Sequence, residues 1–137
     1  MTASLSTKAK ELINRPVLAN VATVDEHDHP QLSPVWIDLE DGELVFNTAK
    51  GRAKDRNLAR NPSVAVSVVD PDDPYNVVVV RGTVEPTEEG ADAHIDLLAK
   101  KYLGVEKYPM RQPGEVRIKY RVHPQRVVMQ PEDGAEG

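Results

Sequence analysis

Several kinds of residue and segment are missing from this chain, and each absence excludes a class of site. No cysteine occurs among the 137 residues, which excludes disulfide bonds, thiolate metal ligands and a cysteine nucleophile. No apolar run reaches the length of a transmembrane helix, and the N-terminus lacks a signal-peptide pattern. We therefore expect a cytoplasmic protein of one domain with no membrane partner.

Aromatic residues are few, acidic residues outnumber basic ones, and no two histidines have the spacing of metal ligands. Aromatics make up 4% of the sequence, so the core must be built mainly from valine, leucine, isoleucine and alanine. The net charge of −5 argues against general binding of nucleic acid. The four histidines include no pair spaced as ligands on a predicted helix, so we expect no metal site. They are His27, His29, His94 and His123.

One short stretch differs from the acidic remainder of the chain. Between residues 50 and 60, five cations face a single acid, Asp55, which gives a local net charge of +4. A predicted strand over 43–48 leads into a turn at Gly51, and a short helix follows until Pro62 ends it. Amides at a helix N-terminus beside cationic side chains form a phosphate site. The alternative is a solvated basic helix face. The cations are Lys50, Arg52, Lys54, Arg56 and Arg60.

Apolar periodicity predicts about seven β-strands separated by turn signals. Pro34 lacks an amide hydrogen, so its strand should lie at a sheet edge, at a bulge or beside a ligand. Gly82 interrupts the pattern of its strand, as expected at a bulge that curls the sheet. The pattern therefore predicts a mainly β protein, a small antiparallel barrel with helical caps. The strands cover residues 17–24, 31–38, 43–48, 63–69, 75–84, 115–122 and 125–129.

Two further helices are predicted outside the basic segment. A short amphipathic helix over 4–14 should close one end of the core. A longer helix should start after Thr87 as its N-cap and end at Gly104. We expect residues 1–130 to form a single cofactor-binding domain and residues 131–137 to form a disordered tail.

Three stretches of the chain occur in the order found in a known family. HPQLSPVW (29–36), ELVFNTAKGRAKDRNLARNP (43–62) and YNVVVVRGTVE (75–85) resemble the split-barrel family of flavin- and deazaflavin-binding oxidoreductases, which includes the pyridoxamine 5′-phosphate oxidase-like proteins. The resemblance covers roughly residues 12–129. The sequence TAKGRAKDRNL is more similar to the actinobacterial branch that uses coenzyme F420. The resemblance implies a split β-barrel homodimer with two cofactor sites at the subunit interface.

The resemblance also implies which residues bind the cofactor. Lys50, Arg52 and Lys54 would hold its phosphate, and the SPVW strand would border its ring. At i, i+4 spacing Arg52 and Arg56 point together, so at most half of the cations can converge on one phosphate. Trp36 fits a core aromatic equally well. The implied residues are Ser33, Pro34, Val35, Trp36, Asn47, Thr48, Lys50, Gly51, Arg52, Lys54 and Asn57, with Tyr75, Asn76 and Val77 from the second subunit.

No side chain stands out as catalytic. The sequence contains no nucleophile elbow and no committed pair of carboxylates, since Asp38 and Glu40 are expected to be solvated. A cofactor site without chemistry of its own fits hydride transfer, in which the ring carries the reaction. We therefore expect an F420-dependent oxidoreductase acting on a small electron-poor molecule.

Three alternatives stay open at this point. Flavin mononucleotide (FMN) is the alternative cofactor, although five cations suit the longer anionic tail of F420 better than a single phosphate. A second alternative is a non-catalytic protein that binds or stores the cofactor. Binding of single-stranded nucleic acid is disfavoured, because residues 50–60 contain no aromatic on which a base can stack.

Overall fold

The computed structural model describes residues 3–130 as three helices and seven strands. The predicted tail, 131–137, lies outside the described residues. The elements in chain order are α1 (Thr7–Asn14), β1 (Ala19–Val24), β2 (Pro30–Val35), β3 (Ile37–Glu40), β4 (Glu43–Ala49), α2 (Ala53–Arg60), β5 (Ser63–Asp70), β6 (Asp73–Thr87), α3 (Ala91–Leu103) and β7 (Arg117–Gln130).

The seven strands form one antiparallel sheet in the order β2-β1-β5-β6-β7-β4-β3. The sheet curls into a half-barrel around a core that consists mainly of valine, leucine, isoleucine and alanine. Phe46 and Tyr120 are the buried aromatic pair, with ring centroids 5.6 Å apart. The predicted mainly β split barrel with helical caps is therefore confirmed.

The predicted strand over 31–38 is wrong, because the chain leaves the sheet at Trp36 and divides it into two strands. β2 and β3 lie at opposite edges of the sheet. The amide of Ile37 donates a hydrogen bond to the Tyr102 hydroxyl at 3.1 Å, so α3 fixes the chain at this crossing. Pro34 lies in the edge strand β2, as its missing amide hydrogen predicts.

The two predicted strands over 115–122 and 125–129 are in fact one continuous strand, β7. His123 and Pro124 do not end it, because Pro124 pairs with Gly82 where the register of β6 shifts. A Cβ atom on Gly82 would lie 2.0 Å from the carbonyl oxygen of His123. Only glycine permits this close approach, and the predicted bulge at Gly82 is confirmed.

The helices differ from the prediction mainly at their first residues. α1 begins after Ser6, whose hydroxyl accepts from the Ala9 amide at 3.1 Å. Thr87 ends β6 and is not an N-cap, because α3 begins after Gly90, which has a φ of 76°. α3 ends at Gly104 as predicted, with a φ of 73°. Within residues 3–130, no helix combines the length and apolar character needed to cross a membrane.

Candidate functional site

A cavity of about 340 Å³ opens where the end of β4, the N-terminus of α2 and one side of α3 meet. This volume lies in the range of small-molecule sites. The cavity brings together seven of the sequence-predicted residues. They come from the end of β2 and the residue after it, from the end of β4 and from the basic segment. They are Pro34, Val35, Trp36, Asn47, Thr48, Arg52 and Lys54.

One end of the cavity is cationic, lined by Arg52, Lys54 and Arg117. Lys54 is half-buried, and burial lowers the pKa of its ammonium, as do the nearby charges of Arg52 and Arg117. Within residues 3–130, the Lys54 ammonium takes part in no hydrogen bond or ion pair. Arg52, at the N-cap of α2, does not cap the helix through its side chain, which leaves first-turn amides available. This end of the cavity is therefore suited to an anion.

Arg117 is the cation that the structure holds most firmly. It is only 4% exposed, and its Nε donates to Asn47 Oδ1 at 2.8 Å. Its Nη1 donates to Glu115 at 2.9 Å, and its guanidinium lies 5.1 Å from the ring centroid of Tyr108. Because these contacts fix the guanidinium, its charge is preorganised at the cavity wall.

Asn47 links His94 to Arg117 through hydrogen bonds. The Asn47 Nδ2 donates to the Ala91 carbonyl at 2.9 Å and lies 3.0 Å from His94 Nδ1, so Nδ1 must be the acceptor and Nε2 carries the proton. Burial, together with the charge of Lys119, lowers the pKa of His94 to about 4, which keeps the ring neutral at pH 7. The network from His94 through Asn47 thus positions Arg117.

Aromatic side chains form another wall of the cavity. Trp36 stacks on Tyr102, with ring centroids 5.3 Å apart, and contacts Tyr108 edge-on at 6.1 Å. The Tyr102 hydroxyl donates to the Val17 carbonyl at 2.6 Å, which anchors the stack. Trp36 is half-buried and lines the cavity outside the hydrophobic core, so the interpretation as a core aromatic is wrong.

Four of the predicted cofactor-binding residues, three in the basic segment and one in β2, are not at the cavity. Lys50 is exposed, and its ammonium donates to Glu88 at 2.7 Å. The amide of Gly51 donates to Asp55 at 2.8 Å, and Asn57 is buried with its amide nitrogen 3.1 Å from Thr23 Oγ1. Ser33 is partly buried in β2 and is not part of the cavity wall.

Tyr75, Asn76 and Val77 lie at the start of β6, outside the cavity of the same chain. Tyr75 is 77% exposed. Asn76 donates to Asp70 at 3.0 Å and lines a smaller cavity with Arg15. The role that the resemblance implies for these three residues, in the site of a second subunit, stays a prediction.

The acids that were expected to be solvated are paired instead. Glu40 accepts from Lys119 at 2.8 Å and from Arg121 at 2.7 Å, and Asp38 lies 3.8 Å from the Lys101 ammonium. The hydrogen bonds and charges of Lys119 and Arg121 lower the pKa of Glu40. The sequence could not show these ion pairs, because the partners lie far away along the chain. Among the described residues, no group of three potential ligands could hold a metal ion.

Sequence reasoning did not identify Arg117, Glu115, His94 or Tyr108 as site residues. A signal for Arg117 was present, because Arg117, Lys119 and Arg121 alternate with apolar residues in RIKYRV. Such alternation places the three cations on one face of a strand. No comparable signal existed for His94, whose partner is set by the packing of α3 on β4.

A family model described as pyridoxamine 5′-phosphate oxidase matches residues 5–129, whereas no curated protein matches the chain. Among solved structures, an F420 reductase is 31% identical, with a TM-score of 0.75, over 87% of this chain and 94% of that chain.

Two further solved structures show similarity of fold alone. A conserved hypothetical protein, Rv2991 from Mycobacterium tuberculosis, is 21% identical with a TM-score of 0.77, over 99% of this chain and 94% of that chain. A putative pyridoxamine 5′-phosphate oxidase from Listeria innocua is 17% identical with a TM-score of 0.66, over 87% and 92%. The match of the family model to almost the whole chain, on a split barrel, shows that this protein belongs to the pyridoxamine 5′-phosphate oxidase-like family of split-barrel proteins.

Proposed function

We propose that this protein is an F420-dependent oxidoreductase that acts on a small electron-poor organic molecule. The observation that carries the proposal is the half-buried Lys54 ammonium, which lies with Arg52 and Arg117 at one end of a cavity whose other walls are apolar and aromatic. That combination suits a ligand with an anionic end and a flat ring. The 31% identity to a solved F420 reductase supports the choice of cofactor.

The residues present fit such a cofactor. Arg52, Lys54 and Arg117 would hold the phosphate by charge-assisted hydrogen bonds. Val35 and Trp36 would border the ring, which when bound supplies the hydride of the reaction. Because β2 is an edge strand, its outward backbone groups are available for bonds to the ring.

FMN is the alternative cofactor, since it also combines a ring with a phosphate. The five cations of the basic segment favour F420, because this cofactor continues past a phosphodiester into a tail of glutamates. Lys50 and Arg56 are exposed in the basic segment that also carries Arg52 and Lys54. The Lys50–Glu88 pair is exposed on both sides, and such a pair contributes only about 0 to 1 kcal/mol. A carboxylate of the tail can therefore replace Glu88 at little cost.

A homodimer is part of the proposal, with residues 1–130 as one cofactor-binding domain located in the cytoplasm. Large apolar side chains of the sheet are exposed, which is typical of an interaction surface. In a dimer the partner's copies of Tyr75, Asn76 and Val77 would complete the cavity. The exposed side chains are Leu32, Val69, Tyr75 and Val79.

The cofactor site can be tested with two lysines of the same segment. Lys54→Ala should weaken F420 binding about tenfold or more, because loss of a charge-assisted contact costs about 1.5 to 3 kcal/mol. Lys50→Ala removes the same charge outside the cavity, where an exposed contact with a tail carboxylate contributes only about 0 to 1 kcal/mol, so its effect should be smaller than that of Lys54→Ala for F420 and absent for FMN. Calorimetric titration with F420 and with FMN measures both effects. Equal affinities in both variants and wild type would show that the cationic end of the cavity does not bind the cofactor.

A further inference from the structure

Glu115 is a carboxylate placed directly against the cationic end of the cavity. Its side chain is only 5% exposed. It accepts from Arg117 Nη1 at 2.9 Å and from Arg52 Nη2 at 3.4 Å. Glu115 thus contacts two of the three cations that line the cavity, while the third, Lys54, has no acidic partner within residues 3–130.

The burial of Glu115 makes its charge effective at the anion site. A carboxylate that is screened from solvent acts on a nearby ligand much more strongly than an exposed one. With three cations and one carboxylate, the site presents a net charge of +2. Asp55, the other buried acid nearby, accepts from Tyr120 and from the Gly51 amide and belongs to the turn rather than to the cavity wall.

We infer that Glu115 is a specificity-determining residue that shifts the preference of the cavity away from a doubly charged phosphomonoester and towards a singly charged phosphodiester. The inference rests on the proposed function, in which this cavity holds a cofactor phosphate. Coulomb energy is linear in ligand charge, so repulsion by Glu115 costs a dianion twice what it costs a monoanion. F420 presents a phosphodiester. FMN presents a monoester whose second pKa is about 6, so it is mostly doubly charged at pH 7.5.

The test compares Glu115→Gln with wild type by titration with F420 and with FMN at pH 7.5. Glutamine keeps the size of the side chain and an acceptor for Arg117. We expect F420 to bind about threefold more tightly and FMN about tenfold more tightly, because the dianion gains the square of the factor that the monoanion gains. Glu85→Gln is the matched control, since Glu85 is exposed and lies beside His123 outside the cavity. It should leave the ratio of the two affinities unchanged.

The pH dependence separates a charge effect from a structural one. Between pH 5.5 and 7.5 the FMN phosphate loses its second proton, so the gain from Glu115→Gln should grow with pH for FMN and stay constant for F420. Arg52, Lys54 and Arg117 line this end of the cavity, and burial lowers the pKa of the nearby His94 to about 4, below this pH range. If Glu115 only holds Arg117 in place, both ligands will lose affinity in Glu115→Gln instead of gaining it, which would overturn the inference.

Two additions distinguish failure of this inference from failure of the proposed function. Phenyl phosphate and methyl phenyl phosphate, a monoester and a diester without the cofactor ring, repeat the comparison at the anion site alone. A larger gain in affinity for phenyl phosphate than for methyl phenyl phosphate in Glu115→Gln supports the inference even where neither cofactor binds. Glu115→Asp keeps the charge and should keep the wild-type preference. Loss of the preference in Glu115→Asp would contradict a role for the charge.

Discussion

Replacing Val35 with phenylalanine is expected to abolish turnover with F420 and to weaken F420 binding about a hundredfold, roughly 2.7 kcal/mol. Val35 is 8% exposed and lies in the cavity wall at the end of β2, where the cofactor ring is proposed to rest. The larger ring of phenylalanine would fill that space. The cationic end is untouched, so inorganic phosphate should bind as in wild type.

Leu97→Phe is the control for Val35→Phe. Leu97 is 59% exposed on α3 and is not part of the cavity wall, so this variant should bind F420 normally. Val35 also packs against the hydrophobic core, and overpacking costs about 1 to 3 kcal/mol of stability. Thermal unfolding therefore has to confirm that Val35→Phe is folded at the assay temperature. Unchanged F420 affinity in a folded Val35→Phe protein would place the ring elsewhere.

Asp55→Ala is expected to lower the free energy of unfolding by about 3 kcal/mol, because each lost hydrogen bond to a charged group costs about 1.5 to 3 kcal/mol. The Asp55 carboxylate is 8% exposed. It accepts from the Tyr120 hydroxyl at 2.5 Å and from the Gly51 amide at 2.8 Å. Burial and this bond raise the pKa of Tyr120, so its hydroxyl remains a donor. Without Asp55, the Tyr120 hydroxyl and the Gly51 amide would each lose the acceptor of their hydrogen bond.

Urea denaturation measures the effect of Asp55→Ala against two reference variants. Tyr120→Phe removes one of the two bonds and should be the milder change, by about half. Glu88→Ala removes an exposed carboxylate and should change stability by less than about 0.5 kcal/mol. A loss below about 1 kcal/mol for Asp55→Ala would contradict the role of this acid as the anchor of the basic turn.

The local parts of the site could be predicted because their signals lie within a few residues of one another. The positive charge of residues 50–60, the glycine of the turn and Pro62 together specify the strand, turn and helix that the structure contains. Pro34 correctly indicates an edge strand, since a missing amide hydrogen has the same consequence in any sheet. Gly82 likewise indicates the bulge that curls β6.

The parts that could not be predicted depend on residues far apart in the sequence. Lys50 was expected at the phosphate because nothing nearby marks Glu88, on the segment before α3, as its partner. Arg117 reaches the cavity through a bond to Asn47, 70 positions earlier. His94 is not spaced as one of a pair of metal ligands on a helix, and only the packing of α3 on β4 makes it the hydrogen-bond acceptor of Asn47. Long-range strand pairing and helix docking decide such contacts, and neither is visible in a local pattern.

Hydride transfer from reduced F420 can be followed directly by anaerobic stopped-flow spectroscopy. Reduced F420 is mixed with a panel of quinones and conjugated enones, with and without the protein, and its reoxidation is followed by absorbance. We expect bound reduced F420 to be reoxidised faster than free F420 by at least one acceptor, with a rate that saturates in acceptor concentration. Tight binding of F420 without acceleration by any acceptor would show a carrier instead of an enzyme, and tight binding of FMN with F420 ignored would contradict the cofactor assignment.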